Sequence, residues 1–322
     1  MKLLNSIAAI LLSLIIVCAS QAVESDKSDN SQKSILVTGA STGIGRHLAE
    51  TLASEGHHVY AGARKESDIA ELNALENITA VRLDVTKQNE VDAVRQLIEK
   101  NGTGLYALVN NAGIFIGGEV ASTDMADHRK LYEVNVEGVY RVSKAFIPLI
   151  IESKGRIATT GSIAGTITRA QMSAYSGTKH WMEAFTDALA AEMQASGVRL
   201  SVIQPGNYQT NIRRTSVLHQ HNKLKAQGKA ITPEMQKQYD DMAAYELSLN
   251  KPDDVSEAYM HALFDPNPLR RYIVTPNKEE HAFTIGDKIR QLVELNQWGE
   301  YRYTQAELLE LVNKAIEGNG AN

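Results

Sequence analysis

The segment Ile35-Leu36-Val37-Thr38-Gly39-Ala40-Ser41-Thr42-Gly43-Ile44-Gly45 narrows most what this chain can fold into. Ile35 to Val37 is a short apolar run of the buried-strand type. It leads directly into the glycine-rich turn Thr38 to Gly45, and Arg46 to Glu55 then reads as a helix closed by Gly56. A strand, a glycine turn and a helix in that order aim backbone N–H groups and a helix N-terminus at a phosphate. Gly39 permits the tight turn, while Gly43 and Gly45 remove side chains where phosphate and helix approach. Ser41, Thr42 and Ile44 complete the candidate binding loop.

The alternation continues along the chain. Strands are expected at His58–Ala63, Ala80–Leu83, Leu105–Val109, Arg156–Thr160, Val198–Gln204 and Arg271–Thr275. Helices are expected at Ser67–Leu75, Gln88–Lys100 and Tyr175–Ala195, and a long one at Asp124–Ile151 interrupted only near Pro148. This pattern predicts an α/β fold: a doubly wound parallel sheet of Rossmann type, seven-stranded, with helices on both faces. In such a sheet the second strand of an NAD site ends in an acid that binds the ribose hydroxyls. Here Ala63 holds that place and Arg64-Lys65 follow. Arg64 can pair with a 2′-phosphate and stack on adenine, which argues for NADP over NAD. Asp84, followed by Val85, has two readings: an acceptor for the adenine amino group, or a cap for the next helix.

Ser162, Tyr175 and Lys179 fall within one short block. Tyr175 and Lys179 are one helical turn apart and share a face. A phenol with a pKa near ~10 is a poor base at neutrality. An ammonium one turn away is expected to pull that value down. A loop between Ser162 and Tyr175 can bring the serine hydroxyl beside the phenol, so that the group can bind one carbonyl or hydroxyl oxygen and move its proton.

Taken in order, these motifs resemble the short-chain dehydrogenase/reductase family from about Ser34 to Thr275. The resemblance rests on T-G-x-x-x-G-I-G at Thr38–Gly45, Asn110-Asn111-Ala112-Gly113, Asn135 in E-V-N-V, Ser162, Tyr175/Lys179, and Pro205-Gly206 with Thr210. Thr160-Gly161-Ser162 departs slightly from the commoner paired serines. The resemblance implies that Asn111, Ala112 and Gly113 lie along the cofactor. It implies a water-holding role for the Asn135 backbone and substrate polarisation by Ser162. Tyr175 would be the acid or base, and Lys179 would bind the nicotinamide ribose and depress the phenol's pKa. Pro205, Gly206 and Thr210 would flank the nicotinamide. A homodimer or homotetramer is the implied assembly. A non-catalytic cofactor-binding or scaffold protein, or an NAD-dependent alcohol dehydrogenase, is the competing reading.

The chain of 322 residues is 43% hydrophobic and 22% charged, with net charge −5 and no Lys/Arg run. Nucleic acid is therefore not an expected partner. Residues 1–22, with Lys2, an apolar Ile7–Val17 and small residues at Ser20 and Ala22, read as a secretory signal peptide, with a membrane anchor as the second reading. This points to an exported or membrane-anchored protein. Cys18 is the only cysteine, so a chain cut after Ala22 has none. Residues 23–33 read as a polar linker, 34–277 as the dinucleotide-binding domain, and about 207–250 as a substrate lid. In the lid, His219 and His221 read as solvated rather than as metal ligands, and no metal site is expected. Ile114, Phe115, Ile116, Ile163, Met172 and Tyr208 are the expected pocket lining, which favours a small apolar alcohol or carbonyl substrate. Residues 278–322 form an extension with amphipathic character and a capping box at Thr304/Glu307. Covering the pocket, contacting a second subunit and touching a membrane are all open to it.

Overall fold

The computed structural model describes residues 32–318. Residues 1–22, read above as a signal peptide or anchor, and nearly all of the segment read as a polar linker lie outside the described residues. Ile35 and Val37 point to one side of the sheet, where they join Leu48, Leu52 and Tyr259. Leu36 points to the other, against Phe146, Ile157 and Leu189. A strand buried on both faces has no polar side to show, which is why it reads as an unbroken apolar run.

Seven parallel strands form the sheet: β1 (Ser34–Val37), β2 (His58–Ala63), β3 (Ile78–Arg82), β4 (Ala107–Asn110), β5 (Arg156–Thr160), β6 (Arg199–Pro205) and β7 (Arg271–Val274), in the order β3-β2-β1-β4-β5-β6-β7. Ile35 of β1 lies opposite both Val59 and Ala107. The strand order reverses between β1 and β4, so the loops leaving their carboxyl ends diverge and open a crevice.

One face carries α1 (Gly43–Ser54), α2 (Glu66–Asn73) and α9 (Asp253–Phe264); the last was not anticipated from the sequence. The other carries α3 (Gln88–Asn101), α5 (Val139–Glu152) and α6 (Ser173–Met193). The expected Asp124–Ile151 helix is three elements: α4 (Met125–Tyr132), a π-helical turn Glu133–Gly138, and α5. The break lies at the π turn, not at Pro148, which sits inside α5. Pro148 is exposed, so water can serve the carbonyl that its ring leaves without a donor.

The segment after β6 holds α7 (Ile212–Ala226) and α8 (Pro233–Ser248). Beyond β7 come α10 (Lys278–Leu295) and α11 (Gln305–Gly318). Thr304 and Glu307 form the reciprocal cap expected before α11, with Glu307 Oε2 accepting from Thr304 N and Oγ1 at 2.7 Å each. Among the described residues no helix is long and apolar enough to cross a membrane.

Candidate active site

The crevice at the strand ends is a cleft of about 890 Å³. Its first part is the loop after β1. Gly39 and Gly43 have φ of +66° and +60°, a region that side chains disfavour. A Cβ on Gly39 would also come within 2.8 Å of the Ala112 Cα. A Cβ on Gly45 would collide with the Asn111 amide and the Gly39 carbonyl. Gly45 is thus required by the neighbouring protein loop itself. Thr38 Oγ1 accepts from Asn111 N and Ala112 N at 2.9 and 3.0 Å, and Asn111 Nδ2 donates to Thr38 O at 3.0 Å. These bonds join the loops after β1 and β4 across the point where the strand order reverses.

The residues here fit a dinucleotide. Thr42, which starts α1, makes no side-chain cap, and the first turn contains no acid. The N-terminal N–H groups are thus left for an anion and meet no competing negative charge. At the next strand ends, Arg64, Asp84 and Val85 line the same cleft. Among the described residues Arg64 has no ion pair. Asp84 Oδ1 accepts from Thr86 N and Oγ1 at 3.0 and 2.8 Å. Burial opposes the Asp84 charge, but those bonds and the charges of Arg64 and Lys87 win and hold its carboxyl below the usual range. Asp84 therefore makes the turn before α3 and lines the cleft as well.

The candidate catalytic side chains lie between β5 and α6. Ser162 leaves β5 and caps a single 3₁₀ turn, its Oγ accepting from Ala164 N at 3.1 Å. Tyr175 and Lys179 project from α6 and are 8% and 4% exposed. Lys179 Nζ donates to Thr160 O at 2.8 Å and lies 5.7 Å from the Tyr175 ring centre. The Phe115 ring meets Tyr175 edge-on at 5.0 Å and limits how the phenol can turn.

The expectation of a lowered phenol pKa does not hold. Burial pushes Tyr175 up to about 12, and the Ser162 hydroxyl and the Arg213 charge pull it back only in part. Burial likewise pushes Lys179 down to about 7 against the opposing charge of Glu183. Desolvation disfavours both charged forms more than the neighbouring groups favour them.

Asn135 stands outside the cleft lining, fully buried in the π turn. Its Oδ1 accepts from Ile114 N and its Nδ2 donates to Ile114 O, both at 2.9 Å, and Nδ2 donates to Thr178 Oγ1 at 3.2 Å. Asn135 thereby ties the loop after β4 to α6. The other anticipated positions, from Gly39 to Thr210, line the cleft. Ile116 does not; it is buried with Leu131, Ala164 and Tyr175 in a small core behind the cleft wall.

The histidines also differ from expectation. His219 Nε2 pairs with Asp127 Oδ1 at 2.8 Å, and Lys223 Nζ bridges Asp124 and Asp127 at 2.7 and 2.9 Å. These pairs latch α7 to α4. His221 is buried and lines the cleft with Val217, Leu224, Met235, Met242 and Leu249. Among the described residues no three His, Cys, Asp or Glu side chains form a group able to hold a metal ion.

Sequence reasoning missed three further groups. Glu183 lies one turn beyond Lys179, and helical periodicity could have found it. Glu280 of α10 accepts from Asn207 Nδ2 and, at 3.3 Å, from Asn207 N. A Cβ on Gly206 would lie 2.8 Å from its Oε2. Glu246 of α8 is buried and accepts from Arg213 N at 2.7 Å. Nothing local in the sequence points to the last two.

Residues 33–221 match the family model for short chain dehydrogenase. The chain is 41% identical over 186 residues to mitochondrial D-beta-hydroxybutyrate dehydrogenase of Bos taurus, covering 55% of this chain and 54% of that one. It is 40% identical over 190 residues to estradiol 17-beta-dehydrogenase 2 of Mus musculus, covering 56% and 49%. These alignments thus span about half the length of either relative. A short-chain dehydrogenase from Streptomyces avermitilis superimposes with a TM-score of 0.68 at 27% identity, over 83% of this chain and 96% of that one. With a parallel seven-stranded sheet, a glycine loop at its switch point and a family match over most of that sheet, this chain belongs to the short-chain dehydrogenases, pyridine-nucleotide oxidoreductases of alcohol and carbonyl groups.

Proposed function

We propose that the protein is an NADP(H)-dependent oxidoreductase acting on an alcohol or carbonyl carried by an apolar body, with Tyr175 as its acid and base. One observation carries this reading. The uncapped glycine turn and the Ser162, Tyr175 and Lys179 side chains line the same cleft. When bound, the dinucleotide supplies or accepts the hydride. Gly39 to Gly45 would hold its phosphates, and Arg64 would pair with a 2′-phosphate. Ser162 holds the reacting oxygen. Tyr175, protonated at neutrality, gives its phenolic proton to that oxygen as a carbonyl is reduced, and takes a proton back as an alcohol is oxidised. Lys179, brought down to about 7 by burial, can resupply the phenol and would bind the nicotinamide ribose. Ile163, Met172, Val217 and Met242 give the substrate end an apolar wall.

The competing reading is a scaffold that retained the fold, or an enzyme that prefers NAD. Fluorescence titration of NADPH and NADH against wild type and Arg64→Ala separates them. NADPH is expected to bind more tightly, and Arg64→Ala to weaken it by roughly 10- to 100-fold, as the loss of a charge-assisted pair would. NADH is expected to change far less. An unaltered ratio removes Arg64 from the argument, and binding of neither removes the enzyme reading.

A further inference from the structure

Arg213, at the start of α7, lines the cleft near Tyr175. Its guanidinium donates to Asn207 Oδ1 and lies 5.6 Å over the Tyr245 ring. Both partners are neutral. Among the described residues no carboxylate lies within ion-pair distance of it. Neither nearby acid pairs directly with the guanidinium. Glu246 gives Oε1 to the backbone N–H of Arg213, and its Oε2 lies 3.5 Å from Arg214 Nε with no hydrogen-bond partner, so it meets the Arg213 guanidinium only through longer-range attraction. Glu280 gives both oxygens to Asn207. Asn207 is thus turned by Glu280 so that its carbonyl oxygen faces Arg213 and holds the guanidinium in place.

A half-buried guanidinium with one neutral acceptor keeps most of its five donors unassigned. Drawing such a charge from water is costly unless an anion meets it. Its planar fork matches a carboxylate, which can accept two parallel bonds. We propose that Arg213 is an anion-recognition residue of the substrate cleft, and that the substrate carries a carboxylate as well as its apolar body and reacting carbon. The pull of Arg213 on the Tyr175 phenol agrees with this placement beside the reacting end. The inference rests on the oxidoreductase reading above and names its substrate class.

The test uses two ligands of equal length, octanoate and octanamide, titrated calorimetrically into the full chain with and without saturating NADPH. Octanoate is expected to bind about tenfold or more tightly than octanamide, the range for a charge-assisted pair. Arg213→Met should bring the ratio to about one, and Arg213→Lys should keep part of it, since lysine offers charge without the fork. Three results overturn the proposal: equal affinities in wild type, no octanoate binding, or a preference that survives Arg213→Met. Loss of NADPH and NADH affinity in Arg213→Met with the ratio unchanged also overturns it, and assigns the guanidinium to a cofactor phosphate. Absence of NADPH binding in wild type strikes the oxidoreductase reading separately, because the carboxylate preference is also measured without cofactor.

Discussion

At Tyr175 and Lys179 burial outweighs neighbouring charge, so the phenol is kept protonated and the lysine titrates near neutrality. Their spacing was legible in the sequence because i and i+4 share a helix face. Their protonation was not, because burial depends on everything packed around α6. Tyr175→Phe keeps the ring and removes the proton, so turnover is expected to fall on the order of 10²- to 10⁴-fold. The dissociation constant for NADPH should stay largely unchanged, which a titration alongside the rate assay checks. Lys179 also makes stability depend on pH. Its folded value of about 7 lies below the ordinary 10.5, so between these values the unfolded chain binds the extra proton. The stability held by this group is therefore complete above 10.5 and lost as pH falls through 7. Thermal unfolding from pH 7 to 10 should show a rise for wild type that Lys179→Met flattens. Tyr175 opposes this only above its ordinary value of 10.

At the scale of elements, strands and glycine turns were readable because period and turn chemistry are local properties. The π turn at Glu133–Gly138 was not, because an i→i+5 hydrogen-bond register leaves no side-chain pattern. Asn135 was legible as a motif residue, whereas its three bonds to Ile114 and Thr178 emerge only from the packing of the π turn. The polar, helix-prone character of α7 and α8 is legible in the sequence, but His219 reads there as solvated. Its partner Asp127 is distant in sequence and reaches it only when α7 lies across α4. Asp127→Ala removes the anchor shared by His219 and Lys223. Hydrogen exchange along Ile212–Ala226 should quicken and KM should rise. Unchanged exchange would show that the pairs are surface decoration.

For the whole molecule, the extension past β7 is part of the site's architecture. Besides Glu280, Gln291 donates to Thr166 O at 3.4 Å, and Arg169 lies 4.8 Å over the Phe283 ring. α10 thus braces both the loop after β5 and the Pro205–Asn207 turn. α10 supports these loops, while none of its own residues lines the cleft. Glu280→Ala leaves Asn207 without its acceptor and should lower stability by about 1–3 kcal/mol. It should also reduce kcat/KM by loosening Arg213, which denaturant unfolding and steady-state assays measure together. Loss of stability with kcat/KM intact would confine Glu280 to a structural role.

The amino-acid sequence by itself determined the parallel α/β sheet, the glycine turn at its switch point and the pairing of Tyr175 with Lys179. Each follows from the steric and periodic preferences of neighbouring residues. Only the tertiary structure decided that the phenol stays protonated, that Asp127 anchors α7, and that Glu280 and Asn207 hold Arg213 near Tyr175. Desolvation and ion pairing belong to the assembled surroundings of a group. Here those surroundings come from segments far apart in the chain: 73 residues separate Asn207 from Glu280, and 92 separate Asp127 from His219.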